Sequence, residues 1–509
     1  MKNIIVLTTL TAAQAMAANP TNVVITPGYG MSAVATGLNF PTAITLQGDS
    51  IWVAEGGIAG TPPAVKQVDK DGHVTTVLQA TDLASGVLVS PLTGIAFAEG
   101  KIWLSHRQTV NSSGLVVPSN AVGAVPVGAI SSFNPGDPVK TFETVVSGLP
   151  SFGDHPAPSV VFSGGRIYFA TGLPTNSGVV GADNGWAQSN PTFHDFPAVD
   201  ISLSGNGYLN PTAFLGHAAL SVITEPFMPF GSGAVKADTK VPAATPTNPG
   251  NGLIIAGGGA VYSIDVHGPK SAMRLEAWGF RNDYGLGFDP FNEDLLFVSN
   301  NGADGRGSRP IANDWDDMFI VHPGQTPQFF GWPDYFHDPT TREPRPVTDS
   351  FFCPPGDTST SVPPCPQFAF SEDFRNTLQV QPAFAELENH SSANMFDFSP
   401  DSDFGFKGDI FIAETGSLPP GTGATSLVGY KIARIDRSTG AVSDFITHPG
   451  QNQGTIFPTS PSNCPATSFN KPIDVKFKDT NMFIADMGCF FPAPATAGTG
   501  KIWMVSPTH

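Results

Sequence analysis

Several polar side chains in this chain stand where chemistry can be done. His155 lies in a Gly153-Asp154-His155-Pro156 turn, and an imidazole there can take a proton near neutral pH. Arg281 follows Phe280 and precedes Asn282 in GFRNDYG, which places a planar fork of donors suited to a carboxylate beside an amide. The run NNGADGRG, residues 300–307, offers Gly, Asp304 and backbone carbonyls of the kind that hold Ca²⁺; a plain turn is the more frequent reading. His390 lies in ENHSSAN and Lys471 in FNKPID. Glu55, His106 with Arg107, Asn300 to Gly302, Glu414 and Asp486 each stand at or just past the end of an apolar run. The three carboxylates also read as caps on strand ends or partners of Arg107 and Lys471, and His106 as a packing residue.

The elements that must position these groups repeat. A short strand-like block recurs six times: IWVAE (51–55), IWLSH (102–106), IYFATG (167–172), LLFVSN (295–300), IFIAETG (410–416) and MFIADMG (482–488). Each follows another apolar segment across a Gly, Asp or Asn turn, which is the pattern of a hairpin. The near-continuous apolar character suits strands buried on both faces. AVKQVD, AVYSID, YKIARID and KIWMVSP supply third strands; HVTTVLQ, TFETVVSGL, MRLEAWGF and AVSDFITH supply fourth strands. Six units of four antiparallel strands predict an all-β, six-bladed β-propeller, in which radial repetition manages the exposed sheet edges. The last unit lacks a fourth strand, and MSAVATGL (31–38) is predicted to supply it and close the ring. Two long insertions, 172–258 and 334–383, read as loops on this scaffold. In a propeller the loop entering each first strand and the loop leaving each second strand share one face, so the polar residues named above should converge round the channel as an active site.

Composition bounds the partners. The 509 residues include 55 Gly and 48 Pro, as tight turns between many strands require, and 38 Phe to fill blade interfaces. The net charge of −18 disfavours nucleic acid. Residues 1–17 carry Lys2, an apolar run and Ala15-Met16-Ala17, the pattern of a cleaved export signal, which makes 18–509 a single exported propeller domain. No later apolar run is long enough to span a membrane. Four cysteines fall as local pairs, Cys353/Cys365 and Cys464/Cys489, consistent with disulfides in an oxidising compartment, although three connectivities are possible. Asn111-Ser-Ser and Asn389-His-Ser match the glycosylation acceptor pattern. No strand–GxGxxG–helix unit and no GxSxG elbow is present, which argues against NAD chemistry and a serine hydrolase.

The stretch from Trp278 to Trp332 resembles the soluble quinoprotein glucose/sorbosone dehydrogenases. It carries Gly279-Phe-Arg281-Asn282-Asp-Tyr-Gly285, then Asn301-Gly302, Asp316-Asp317 where that family has Asp-Glu, and Phe330-Gly331-Trp332-Pro333 where it has Tyr-Gly-Trp-Pro. Segments 393–436 and 470–486 are similar to later blades of the same family. The resemblance implies a propeller that binds pyrroloquinoline quinone (PQQ) with Ca²⁺ and oxidises a sugar or alcohol by hydride transfer. Electrons would pass to a cytochrome or a small quinone. By the same resemblance His155 is the general base, while Arg281, Asn282, Lys471 and His390 bind the cofactor. The carbonyls of Gly302 and Ala303 bind Ca²⁺. Lys471 stands where the family often has Arg, which loses a bidentate fork. Two other readings remain at this level. A Ca²⁺-dependent, lactonase-like hydrolase would draw on Glu55, Asn301, Glu414 and Asp486, and a non-catalytic binding propeller would have its channel plugged by the 172–258 insertion.

Overall fold

The computed structural model describes residue 20 and residues 22–218, 221–268, 272–353, 365–400, 403–417, 427–448, 468–490 and 495–508. Residues 1–17, expected to be an export signal, and Cys464 lie outside these. Six four-stranded antiparallel blades are arranged as a propeller. Blade 1 comprises Pro41–Gln47, Ser50–Glu55, Ala64–Val68 and Val74–Gln79, and blade 2 comprises Val89–Ala98, Lys101–Val110, Val125–Phe133 and Glu143–Leu149. Blade 3 comprises Val160–Ser163, Arg166–Thr171, Ala260–Asp265 and Arg274–Trp278; blade 4 comprises Asp283–Asp289, Asn292–Asn300, Asp316–Val321 and Ala385–Leu387. Blade 5 comprises Ala393–Phe398, Ile410–Glu414, Lys431–Ile435 and Val442–Thr447; blade 6 comprises Pro472–Lys478, Asn481–Asp486, Gly500–Pro507 and Tyr29–Leu38. The closing strand pairs Met31 with Val505 and Ala35 with Ile502, so one blade is built from both ends of the chain, as MSAVATGL predicts. Val24–Ile25 and Gln328–Phe329 extend the outer edges of blades 5 and 3.

The second strands run through the core. Ile51 to Glu55 are all buried, as are Ile410 to Glu414. Phenylalanines fill the spaces between blades. Phe297 meets Phe398 edge-on across blades 4 and 5, and Phe411 meets Phe477 across blades 5 and 6, the arrangement favoured by the ring quadrupole. Near the axis, side-chain hydroxyls bond to the next blade's backbone: Thr42 Oγ1 donates to Leu92 O (2.7 Å), Thr93 Oγ1 to Ala157 O (2.8 Å) and Thr415 Oγ1 to Pro472 O (2.6 Å). Asp474 Oδ2 closes the circle by accepting from Ile44 N at 2.7 Å.

The two insertions form a packed layer rather than open loops. Ile201–Ser202 pairs with Lys240–Val241, Tyr335–His337 pairs with Pro344–Pro346, and Leu203 bridges to Phe370 between the insertions. Arg309, fully buried, ties them together: its guanidinium donates to Ser177 O (2.9 Å), Pro333 O (3.0 Å) and Gln367 O (2.8 Å) and pairs with Asp334 at 3.0 Å. Cys353 and Cys365 form a disulfide with Cα atoms 4.6 Å apart. Cys489 is also disulfide-bonded.

Candidate functional site

A cavity of about 700 Å³ opens on the face where first strands begin and second strands end. Its walls come from blades 3, 4 and 5 and from the 172–258 insertion, which contributes Asp183. His155, Arg281, Asn282, Gly302 and His390 line it together. Tyr284 reaches from blade 4 to pack against the apolar clusters of blades 6 and 1 and of blades 1 and 2.

Among the described residues the His155 ring has one hydrogen bond, Nδ1 to Leu173 O at 2.8 Å. A carbonyl only accepts, so Nδ1 carries the hydrogen and Nε2 the lone pair. Burial pushes this imidazole well below the ordinary histidine range, and the charges of Arg281 and Arg306 push the same way. The result is a neutral base with its tautomer fixed.

Opposite it lies a charge network. Arg281 donates from Nη1 to Gly302 O and from Nη2 to Asp304 Oδ2, both at 2.6 Å. Arg306 reaches Asp154 (2.7 Å), Asp183 (2.8 Å) and Asp304 (3.1 Å). Burial alone would raise the Asp304 carboxyl, yet Arg281, His390 and Arg306 together hold it well below the carboxylate range. Asp183 is raised to about 6 by burial, with Arg306 opposing. His390 Nδ1 stands 3.3 Å from Asp304 Oδ1, and since that carboxylate only accepts, Nδ1–H is the donor. His390 and Ser392 have φ of 64° and 54°, uncommon for residues other than glycine and a mark of backbone held by its surroundings.

The polar lining fits a carbonyl-rich group. Two guanidinium groups face the cavity among four carboxylates, Asp154, Asp183, Asp304 and Asp316, and the buried Asn282 Oδ1 has no hydrogen-bond partner among the described residues. A two-carbonyl Ca²⁺ site fits less well. Gly302 lines the cavity, but its carbonyl already accepts from Arg281. Ala303 is packed into the apolar core behind the wall, with its N–H on Asp314 Oδ2.

Lys471 is also one layer back. Its Nζ donates to Thr415 O at 3.3 Å and sits 4.4 Å from the Tyr430 ring centroid, while burial pulls it down to about 7 against the opposing pull of Asp486. The expected ring of polar exits is likewise only half realised. Glu55 turns back to accept from Asn39 N (2.7 Å), and Asp486 accepts from Asn470 N and Lys471 N (2.9 Å each). Both cap the loop entering the neighbouring strand. His106 packs inside blade 2, its ring nitrogens on Arg107 O and Ser131 Oγ, and burial lowers it to about 4. Glu414 is buried 3.7 Å from Lys431 and raised to about 8 by burial. Asp304 was read from sequence only as the Asp of the NNGADGRG run, in a Ca²⁺-holding role, and Arg306 and Asp183 were not singled out. The Arg two residues after Asp304 on the same loop was the available signal for Arg306.

No family model matches the chain, and no curated protein matches it. Solved structures do. One is titled the holo form of the pyranose dehydrogenase PQQ domain from Coprinopsis cinerea, 15% identical, covering 96% of this chain and 98% of that one with a TM-score of 0.55. Two structures of a carbohydrate-active enzyme of family AA12 from Trichoderma reesei match as well. The iodide form is 16% identical over 100% of both chains (TM-score 0.54); the calcium form is 16% identical over 96% and 98% (TM-score 0.53). At these identities the likeness establishes the fold, with this chain and its neighbours aligned over nearly their whole lengths.

Proposed function

We propose that this chain is an exported quinoprotein dehydrogenase that oxidises a sugar or related alcohol. The observation that carries the reading is His155, a neutral imidazole whose lone-pair nitrogen is set in a cavity flanked by two guanidinium groups. The fold neighbours described as a PQQ domain of a pyranose dehydrogenase and as carbohydrate-active enzymes support the same chemistry. When bound, PQQ supplies the electrophilic carbonyl carbon that takes the hydride. Arg281 and Arg306 would offer it their remaining N–H donors, and Asn282 Oδ1 would be the acceptor beside them. His155 Nε2 takes the proton of the sugar hydroxyl as the carbon–hydrogen bond opens. His390, oriented by Asp304, presents its other nitrogen to the cavity from blade 5. Lys471 supports the wall from behind Thr415 rather than touching the cofactor. Of the two carbonyls expected to hold Ca²⁺, that of Gly302 is taken by Arg281 and Ala303 lies behind the wall. Electrons leave to an external acceptor, a cytochrome or small quinone. Glycosylation at Asn111 and Asn389 is part of the same exported reading.

The test is reconstitution of the apo-protein with PQQ and Ca²⁺. A quinone absorption band and dye reduction on a sugar panel are expected; neither appearing, with the fold intact by circular dichroism, rejects the proposal. The hydrolase reading loses its ligand set, because Glu55 and Asp486 are turned into caps and Glu414 faces Lys431. The binding-propeller reading expected a plug from the 172–258 insertion, yet that insertion lines an open cavity.

A further inference from the structure

At the end of the second strand, blades 1 and 6 place a carboxylate that grips the backbone of the entry loop: Glu55 on Asn39 N, and Asp486 on Asn470 N and Lys471 N. Blade 4 places an amide there. Asn300 Oδ1 accepts from Arg281 N at 2.9 Å and from Asn282 N at 3.0 Å. A carboxylate makes this grip whichever way it is turned. An amide makes it only when its oxygen faces the two N–H groups, because the flipped form sets donors against donors. Something must therefore hold the NH₂ end. That partner is Asp317 on the third strand, whose Oδ2 accepts from Asn300 Nδ2 at 3.2 Å.

Asp317 is buried and faces Glu386 directly across the strand pair. Neither Asp317 Oδ1 nor either Glu386 oxygen has a hydrogen-bond partner among the described residues. His337 Nδ1 stands 3.7 Å from Asp317 Oδ1; its Nε2–H is committed to Gln381 O at 2.9 Å, so the nitrogen facing Asp317 offers a lone pair. Asp314 and Asp338 add negative charge nearby, and Arg342 is the cation that opposes them. Burial raises both carboxyls, Glu386 to about 9 with the charge of Asp314 adding to it, and Asp317 with the charges of Glu386 and Asp314 adding to it.

We infer that Asp317, backed by Glu386, is a positioning residue: it fixes the Asn300 amide so that the backbone carrying Arg281 and Asn282 presents both side chains to the cavity. This rests on the proposal that those two residues bind the quinone. It goes beyond that proposal by assigning their orientation to a buried carboxyl pair on the far side of the blade.

The experiment compares wild type with D317A, N300D and the N300D/D317A double variant. Equilibrium PQQ binding is read by tryptophan fluorescence quenching, and hydrogen–deuterium exchange is read on the peptide spanning 279–287. D317A frees the amide to flip and is expected to weaken PQQ binding about tenfold, one lost charge-linked contact, and to speed exchange in 279–287. A carboxylate at 300 needs no such orientation, so N300D/D317A is expected to restore both readouts, whereas a merely structural role for Asp317 gives no such rescue. D317A equal to wild type, or a double variant no better than D317A, overturns the inference. If D317A does not fold, D317L, of similar volume, takes its place in the same comparison. If wild type itself fails to bind PQQ, the functional proposal falls, and exchange in 279–287 still tests the positioning.

Discussion

Replacing His155 by Asn isolates the proposed base. The amide NH₂ of Asn stands where Nδ1–H stood, so the bond to Leu173 O is retained; what is lost is the basic nitrogen at the Nε2 position. His155 is neutral, so no buried ion pair is broken and folding stability changes little. A positioned general base contributes about 10²–10⁴ in rate, or about 3–5 kcal/mol of barrier. We therefore expect kcat to fall by about 10²–10⁴, with the quinone dissociation constant within about threefold of wild type. The assay is stopped-flow dye reduction by PQQ-loaded enzyme with protiated and C1-deuterated sugar. The pH profile supplies an independent check. Burial, Arg281 and Arg306 all lower the imidazole, so the wild-type acid limb must lie well below the usual 6.5. Arg306→Gln removes one of those cations and must move the limb upward. A loss of kcat under about tenfold, or an acid limb at 6.5 that Arg306→Gln leaves in place, refutes the assignment.

Three further outcomes concern the scaffold. His106 and His337 are each held near 4 by burial, while an unfolded histidine titrates near 6.5. Their contribution is present above 6.5 and is lost as pH falls toward 4, about 3 kcal/mol each; urea midpoints should drop steeply across that window, and a flat profile counts against it. Lys471→Met removes a buried amine whose one side-chain hydrogen bond among the described residues is to Thr415 O, so thermal stability at pH 7 should rise, by about 1 kcal/mol or more, with quinone affinity unchanged. Arg309→Met strands the fully buried Asp334 and should cost about 3–5 kcal/mol in denaturant unfolding, with greater protease sensitivity in 172–258.

The blades were legible because hairpins are local. Apolar runs such as IAFA and IWLS, joined by Glu99-Gly100, report their pairing within about a dozen residues, and six such units leave few architectures. Three strands escaped that reading. Asp316–Val321 opens on two acids, Ala385–Leu387 is short, and Val125–Phe133 follows a Gly-, Pro- and Ser-rich loop. In each the apolar pattern is masked or brief. Entry loops were legible for a related reason: the turn before a first strand must lie on the channel face, so His155, Arg281, Asn282 and His390 were brought together as expected.

Sequence by itself determined the ring, its closure by the N-terminal strand, and which loops share a face. These follow from strand periodicity and turn chemistry, which act over short distances. Tertiary structure alone decided which polar groups look into the cavity. Asp486 and Glu55 turn back because unpaired backbone N–H groups in the buried entry loops must find acceptors. Arg306 gathers Asp154, Asp183 and Asp304 from three separate segments, because buried charges persist only where partners far apart in the chain meet.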